Sequence, residues 1–272
     1  MSEQTYVLAH SAEETRRLAT QARFYAEFTD QLLRAAGIAE GMHVLDVGCG
    51  AGDVTFQLAR IVGPTGSVTG VDADAGVLAA ARERAGALGL ANVAFQQAEL
   101  PDLGLAQRFD AAVGRLILLH VPDPVAAIKA SAALVRPGGI VSFQDFNTTR
   151  ARSVPALPLL NRSIGLIIES LRTMGRVPDI GEQLFSLFGQ AGLPDPRVAV
   201  RVPATSEAAE QAAILLGDTL ISVLPFAERV GILAPGEIDP ATLNDRLAAE
   251  ARATPSVVYL PELACAWTRL PG

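Results

Sequence analysis

Cysteine, histidine and excess positive charge are all scarce in this chain, and each scarcity removes a class of function. The two cysteines, Cys49 and Cys265, lie far apart, so no disulfide framework is expected and a soluble, reducing, cytoplasmic setting is. The three histidines, His10, His43 and His120, have no ligand-like spacing among themselves or with cysteine, and clustered carboxylates are missing, so no metal is expected. His43 reads as a surface residue before the first strand. Lys and Arg number 22 against 29 Asp and Glu, a net charge of -7 with no basic block, which is a poor footprint for a nucleic-acid partner. No uninterrupted apolar run approaches about 18 residues, and the first residues lack a charged-then-apolar leader pattern, so neither a membrane partner nor a secretion signal is expected. What the chain has in quantity is apolar core material, 50% of its 272 residues, enough for one domain carrying an inserted lid or for a domain and a half.

The most informative stretch is Val44-Leu45-Asp46-Val47-Gly48-Cys49-Gly50-Ala51-Gly52-Asp53, a buried strand that breaks into three alternate glycines before a helix predicted over about 53–61. Glycine permits the positive φ and close backbone approach that such a turn needs, and the helix N-terminus offers unpaired N–H groups to an anionic ligand. A dinucleotide fingerprint spaces its glycines as G-x-G-x-x-G. Here they fall at 48, 50 and 52, with Asp46 two places ahead of them, which fits NAD poorly. Cys49 inside the loop reads as a small packing residue.

The string fills every fixed position of motif I, D/E-x-G-x-G-x-G, and so resembles the class I S-adenosylmethionine-dependent methyltransferases. A second strand, Ser67 to Val71, ends in Asp72-Ala73-Asp74. The resemblance makes Asp72 the carboxylate that accepts both ribose hydroxyls, with Asp74 its local competitor; the alternative for this position is an N-cap on a helix starting near Ala75. After a third strand, Asn92 to Gln97, the segment Ala98-Glu99-Leu100-Pro101 is similar to the family's adenine cradle, with Glu99 at the acidic position or else simply solvated in a loop. A fourth strand, Phe109 to Leu116, contains Gly114 and Arg115; Leu134 to Gly139, leading into Ile140 to Asp145, resembles the "LRPGG then strand" signature of the same family. Asp46, Gly48, Cys49, Gly50, Gly52, Asp72, Ala73, Ala98, Glu99, Leu100, Gly114 and Arg115 are therefore the expected cofactor-binding residues. The implied cofactor is S-adenosylmethionine, with S-adenosylhomocysteine as product.

The implied fold is α/β, a Rossmann-like seven-stranded sheet with N-terminal helices and a helical lid inserted around strands six and seven. Alternating strands and helices independently predict βαβ units and a parallel sheet, whose ligands sit outside the carboxyl ends of the strands. The expected divisions are 1–40 as a helical cap, 41–150 as the cofactor-binding core, and 151–272 as lid insertions with the last strands. Ser11-Ala12-Glu13-Glu14 forms a capping box, and Leu18, Ala22, Tyr25, Thr29 and Leu32 follow at helical spacing. Tyr6, His10, Arg17, Gln21 and Tyr25 are lid candidates if this helix closes over the cofactor, and core-facing residues if it only packs on the sheet. An apolar segment over 147–174, with Leu159, Leu160, Ile164, Ile167, Ile168 and Leu171 at helical period, and a second apolar helix over about 208–224 are expected, with a sixth strand over 197–203, a polar helix over 240–253 and a final strand over about 257–269. The apolar helices read as a roof over an acceptor pocket or as a homodimer interface.

For chemistry, His120 just beyond the fourth strand is the first candidate base, or a structural histidine starting the next helix. Asp145, with Gln144, is the second candidate at the end of strand five, and Gln144 is also a candidate substrate contact. Arg115 would pair with an acidic acceptor or only with Asp123. The resemblance implies methylation at O, N or C of a small, partly apolar acceptor, quinone-like or a natural product. The alternatives are a cofactor-binding protein that does not methylate, and a macromolecular methyltransferase. Gly114-Arg115-Leu116-Ile117 stands where the motif for amino-group methylation of bases would be.

Overall fold

The computed structural model describes residues 12–272, so the expected lid residues Tyr6 and His10, and the capping-box Ser11, lie outside the described residues. The chain divides into two compact units. One comprises Ala26–Phe146, Ile180–Arg201 and Leu263–Gly272; the other comprises the residues up to Tyr25, Asn147–Asp179 and Val202–Glu262. The helix α1 (Ala12–Ala36) gives its first part to the second unit and its remainder to the first.

The first unit is built on a seven-stranded sheet. Its strands are β1 (His43–Val47), β2 (Ser67–Asp72), β3 (Val93–Gln97), β4 (Phe109–Arg115), β5 (Val135–Asn147), β7 (Arg197–Arg201) and β10 (Glu262–Arg269), in the order β3-β2-β1-β4-β5-β10-β7. β2 and β4 flank β1 in parallel, and β3 and β5 extend the parallel pairing outward. The alternation of strands with α2 (Asp53–Val62), α3 (Ala75–Ala87) and α4 (Pro124–Ala133) is what puts these strands side by side. The sheet is not parallel throughout: β7 runs antiparallel to β10.

Apolar residues on alternate positions give the sheet two buried faces. Leu45, Val47, Ala112, Val141 and Phe143 pack with Ile128 of α4 and with Leu184 and Phe188 of α6 (Ile180–Gln190). Phe143 and Phe188 meet edge to face with ring centroids 6.3 Å apart. Val44, Val68, Ala111, Val113 and Ile140 pack on the other side with Leu33 and Ala36 of α1 and Leu58 and Ile61 of α2. Helix α6 escaped the sequence reading although Ile180, Leu184, Leu187 and Phe188 carry the helical spacing, because it is short and bounded by Gly and Pro segments.

The second unit is helical with a small sheet. The strands β6 (Arg152–Val154), β8 (Ala204–Thr205) and β9 (Val257–Tyr259) form it in the order β6-β9-β8, all antiparallel. The single final strand expected over 257–269 is thus two strands in two sheets. Pro261 explains the break, since it has no N–H to continue a ladder, while the Leu260 N–H turns to the Pro203 carbonyl at 2.9 Å.

Helices α5 (Pro158–Thr173), α7 (Ala209–Arg229) and α8 (Pro240–Ala253) pack on one another. Leu160, Ile164 and Ile167 of α5, Leu216, Leu220 and Leu224 of α7, and Leu243 and Leu247 of α8 are buried. Much of the apolar surface that read as a roof or a dimer face is therefore core of this unit. Helix α7 has 21 residues and is long and apolar enough to cross a membrane by length and composition only, with half of its most apolar 18-residue stretch buried in the fold. The sequence showed no unbroken apolar run there because Asp218 and Pro225 interrupt it.

Candidate functional site

β1 runs out into the glycine loop, where the absence of side chains sets the shape. Gly48 has φ 68°, and a Cβ there would lie 2.6 Å from the Ile117 side chain. Gly52 has φ 91° and begins α2, and a Cβ there would lie 2.6 Å from the Phe56 ring. A Cβ on Gly50, between them, would meet nothing within 4 Å. The outer glycines are demanded by the fold, and the middle one borders open space that a ligand can enter.

The loop is tied down from the neighbouring strand, β2. Asp72 at the end of β2 accepts the Gly50 N–H at 2.9 Å through Oδ2 and the Asp74 N–H at 3.0 Å through Oδ1. A carboxylate has about four lone-pair sites, so one on each oxygen remains, which suits a pair of adjacent hydroxyls. Asp74 takes the capping role: its Oδ1 accepts the N–H groups of Gly76 and Val77 at the start of α3. Arg84 of α3, which nothing in the local pattern singles out, donates to the Ala51 carbonyl and pairs with Asp53, each at 2.6 Å. Its guanidinium stands 5.2 Å from the centre of the Phe56 ring.

Asp46 is buried and accepts the Thr55 hydroxyl at 2.6 Å. Burial pushes its carboxyl up to about 6, against the opposing pull of the Thr55 hydrogen bond and the Arg115 charge. Cys49 is buried with its thiol pushed far up by burial, and its Sγ fills the space above Gly70, where a Cβ would approach it to 2.9 Å. On the far side of Asp72, its carbonyl accepts the Ala98 N–H at 3.0 Å, and the Ala73 carbonyl accepts from Gln97 at 2.8 Å. Glu99 is exposed and Leu100 is half-buried against the core.

The end of β4 forms the opposite wall. A Cβ on Gly114 would lie 2.5 Å from the Phe143 ring, so this glycine makes room for the aromatic. Arg115 donates to the Thr29 hydroxyl at 3.1 Å. Asp123, its expected alternative partner, caps α4 by accepting the Ala126 N–H at 2.9 Å, with Pro124 at the first helical position. His120 is half-buried in the turn before that cap, its N–H donated to the Ile117 carbonyl at 2.9 Å, and so it does not start the helix. Leu116, at φ 57°, is the only non-glycine in the left-handed region among the described residues; its N–H donates to the Gln144 carbonyl at 2.8 Å.

Asp145 is wholly buried in β5. Its carboxylate accepts N–H groups of Phe146 at 3.0 Å and Leu119 at 3.3 Å, with Leu118 also contributing, and burial pushes it up to about 7. A carboxylate engaged in this way fixes the turn that carries His120. Gln144, beside Arg115 in the β4–β5 register, is buried too. The described lid candidates belong to the second unit, where Gln21 accepts from Arg17 at 3.1 Å and the buried Tyr25 donates its hydroxyl to the Pro261 carbonyl at 2.7 Å. Among the described residues no three His, Cys, Asp or Glu side chains cluster as a metal site.

The glycine loop, the Asp72 carboxylate and the turn after β4 meet at the carboxyl ends of β1, β2 and β4, where the strand order reverses. That is the ligand crevice of open α/β sheets, and a nucleoside with vicinal hydroxyls fits its donor set. A family model described as "Methyltransferase domain" matches residues 38–178. The chain belongs to the class I S-adenosylmethionine-dependent methyltransferase family. Its cofactor is S-adenosylmethionine. The ubiquinone biosynthesis O-methyltransferase of Alkalilimnicola ehrlichii is 38% identical over 120 residues, 43% of this chain and 47% of that protein. The aklanonic acid methyltransferase of a Streptomyces species, strain C5, is 35% identical over 136 residues, 48% of this chain and 61% of the relative. The chain thus spans about half the length of the curated relatives it matches. The solved structure of YcgJ from Bacillus subtilis shares the fold at 18% identity, with a TM-score of 0.57 over 90% of this chain and 99% of that one.

Proposed function

We propose that the chain methylates an O, N or C atom of a small, partly apolar acceptor, with the sheet unit holding the cofactor. The observation that carries this reading is Asp72, with one oxygen on the Gly50 N–H of the glycine loop, the other on the Asp74 N–H and one lone pair left on each, beside the open space at Gly50. The two small-molecule methyltransferases named above support it. In this reading Asp72 takes the ribose hydroxyls, the glycine loop and Arg115 border the methionine part, and Ala98 to Leu100 border the adenine. A cytoplasmic, soluble setting belongs to the same reading.

When bound, the cofactor supplies a methyl group on a positively charged sulfur, open to in-line displacement. Held by Asp72 and the glycine loop, it would supply this methyl to an acceptor lone pair placed in line with it. Orientation supplies most of the acceleration, so the chain's task is to hold two ligands in line. Where the acceptor has a proton to lose, His120 is better suited to take it than Asp145. The His120 side chain is half-buried in the turn after β4, whereas the Asp145 carboxylate is closed off and engaged with backbone N–H groups.

Calorimetric titration with S-adenosylmethionine, S-adenosylhomocysteine and NADH tests the reading. Binding of the first two and not the third is expected. Tight NADH binding without binding of the others would overturn it.

A further inference from the structure

Gln144 is only 1% exposed, and neither its amide nitrogen nor its amide oxygen has a hydrogen-bond partner among the described residues. It is the only described side chain left so at both ends. Folded proteins pair nearly all such atoms, so a doubly unanswered amide asks what answers it. Its place in the sheet is informative. Gln144 is the register partner of Arg115, on the face where Ala111, Val113 and Ile140 pack against Leu33 and Ala36 of α1, and Arg115 itself reaches Thr29 of α1. Asp46 stands beside Val113 on that same face, within the electrostatic reach of Arg115. The adjoining strand end, Arg115 to Ile117, is half-exposed, so the amide lies next to the edge that carries the glycine loop.

A primary amide offers a donor and an acceptor side by side, and its complement is a group that offers the reverse. A carboxylate does not qualify, since it only accepts and would lie close to Asp46. We propose that Gln144 is the subsite that reads the acceptor, and that it takes a neutral function with a hydroxyl next to a carbonyl. The hydroxyl donates to the Gln144 amide oxygen and the carbonyl accepts from its nitrogen, while the Arg115 charge steadies the same oxygens. This subsite rests on the methyl-transfer reading above.

The test has two readouts. In the first, protein loaded with S-adenosylhomocysteine is titrated with phenacyl alcohol, which has the hydroxyl beside the carbonyl, and with acetophenone, which lacks the hydroxyl. Wild type should bind the alcohol about tenfold more tightly, and Gln144→Leu should bind both alike. In the second, the unliganded Gln144→Leu protein should melt about 2 °C or more above wild type, because an apolar side chain of similar size removes the unanswered polar atoms. A residue serving only the fold would give a lower melting temperature. Wild-type protein that fails to bind S-adenosylhomocysteine overturns both readings. Protein that binds it but takes the two probes equally, or a Gln144→Leu variant that melts lower, overturns the subsite alone.

Discussion

Helices α3 and α4 of the sheet unit differ from α5 of the helical unit in where they find the partners for their first N–H groups. In the sheet unit, α3 and α4 are started by residues next to them, Asp74 and Asp123, whose carboxylates accept N–H groups two or three positions on. In the helical unit, α5 begins after Leu157, which supplies no side-chain acceptor, and the Leu159 and Leu160 N–H groups go instead to Glu250 of α8, 91 and 90 residues away. The starts of α3 and α4 are therefore specified by neighbours along the chain. The start of α5 depends on α8 having already come against it and cannot be read from a short window of sequence, whereas α8 of the same unit starts locally on Asp239.

The sharpest way to break this contrast is Gly48→Val. The left-handed backbone and the Ile117 side chain 2.6 Å away leave no place for a branched residue, so stability should fall by about 3 kcal/mol or more and S-adenosylhomocysteine binding should be lost. Chemical denaturation and calorimetry read the two effects separately, and a variant that binds normally would remove the glycine loop from the site.

Next in size is the pair Asp72→Ala and Asp74→Ala. The first should weaken cofactor binding roughly 10- to 100-fold, about 1.4–2.8 kcal/mol. The second should leave binding nearly unchanged and lower stability by about 1 kcal/mol, the worth of a cap. Equal binding losses would mean that both carboxylates serve the ligand.

The buried carboxylates allow a third test, through pH. Asp46 and Asp145 are raised to about 6 and about 7 from an ordinary 3.8, so the fold favours their protonated forms. Their contribution to stability is complete below about 4 and is lost as pH rises through about 6 and 7. Asp145→Asn removes one of the two. In urea titrations across this range, the stability of wild type relative to the variant should be greatest at the acid end and shrink toward neutrality. A difference that widens instead would mean that the Asp145 carboxylate is ionised and favourably held.

The smallest expected effect lies in the helical unit. Glu250→Gln should lower stability by about 1 kcal/mol, because it weakens a charged acceptor shared by two N–H groups, and should leave cofactor affinity unchanged.

The legible parts of the fold are those set by local signals, in either unit. β1, the glycine loop, α2 and the Asp72 strand end could be read because strand burial, positive φ and helix starts are properties of residues adjacent in sequence. Helix α8 was placed at its observed limits because Asp239-Pro240 is a strong start signal. The last strand was misread as one piece because apolar alternation continues across Leu260 and Pro261, and only the sheets themselves show that the two halves pair with different partners. Arg84 and Thr55 went unremarked for a related reason: an arginine or a threonine in a helix is ordinary until the loop or carboxylate it meets is known.

From its sequence alone, this chain determined that a strand must turn through glycines into a helix, that a carboxylate must end the next strand, and that the sheet must carry these at one edge. Those outcomes rest on backbone sterics and side-chain alternation, which act within a few residues. Tertiary structure decided which of two aspartates caps a helix and which ties the loop, that Asp145 is enclosed and holds a turn, and that Gln144 lies buried beside Arg115 without hydrogen-bond partners among the described residues. These are consequences of register and burial, and neither exists until strands far apart in the chain have paired.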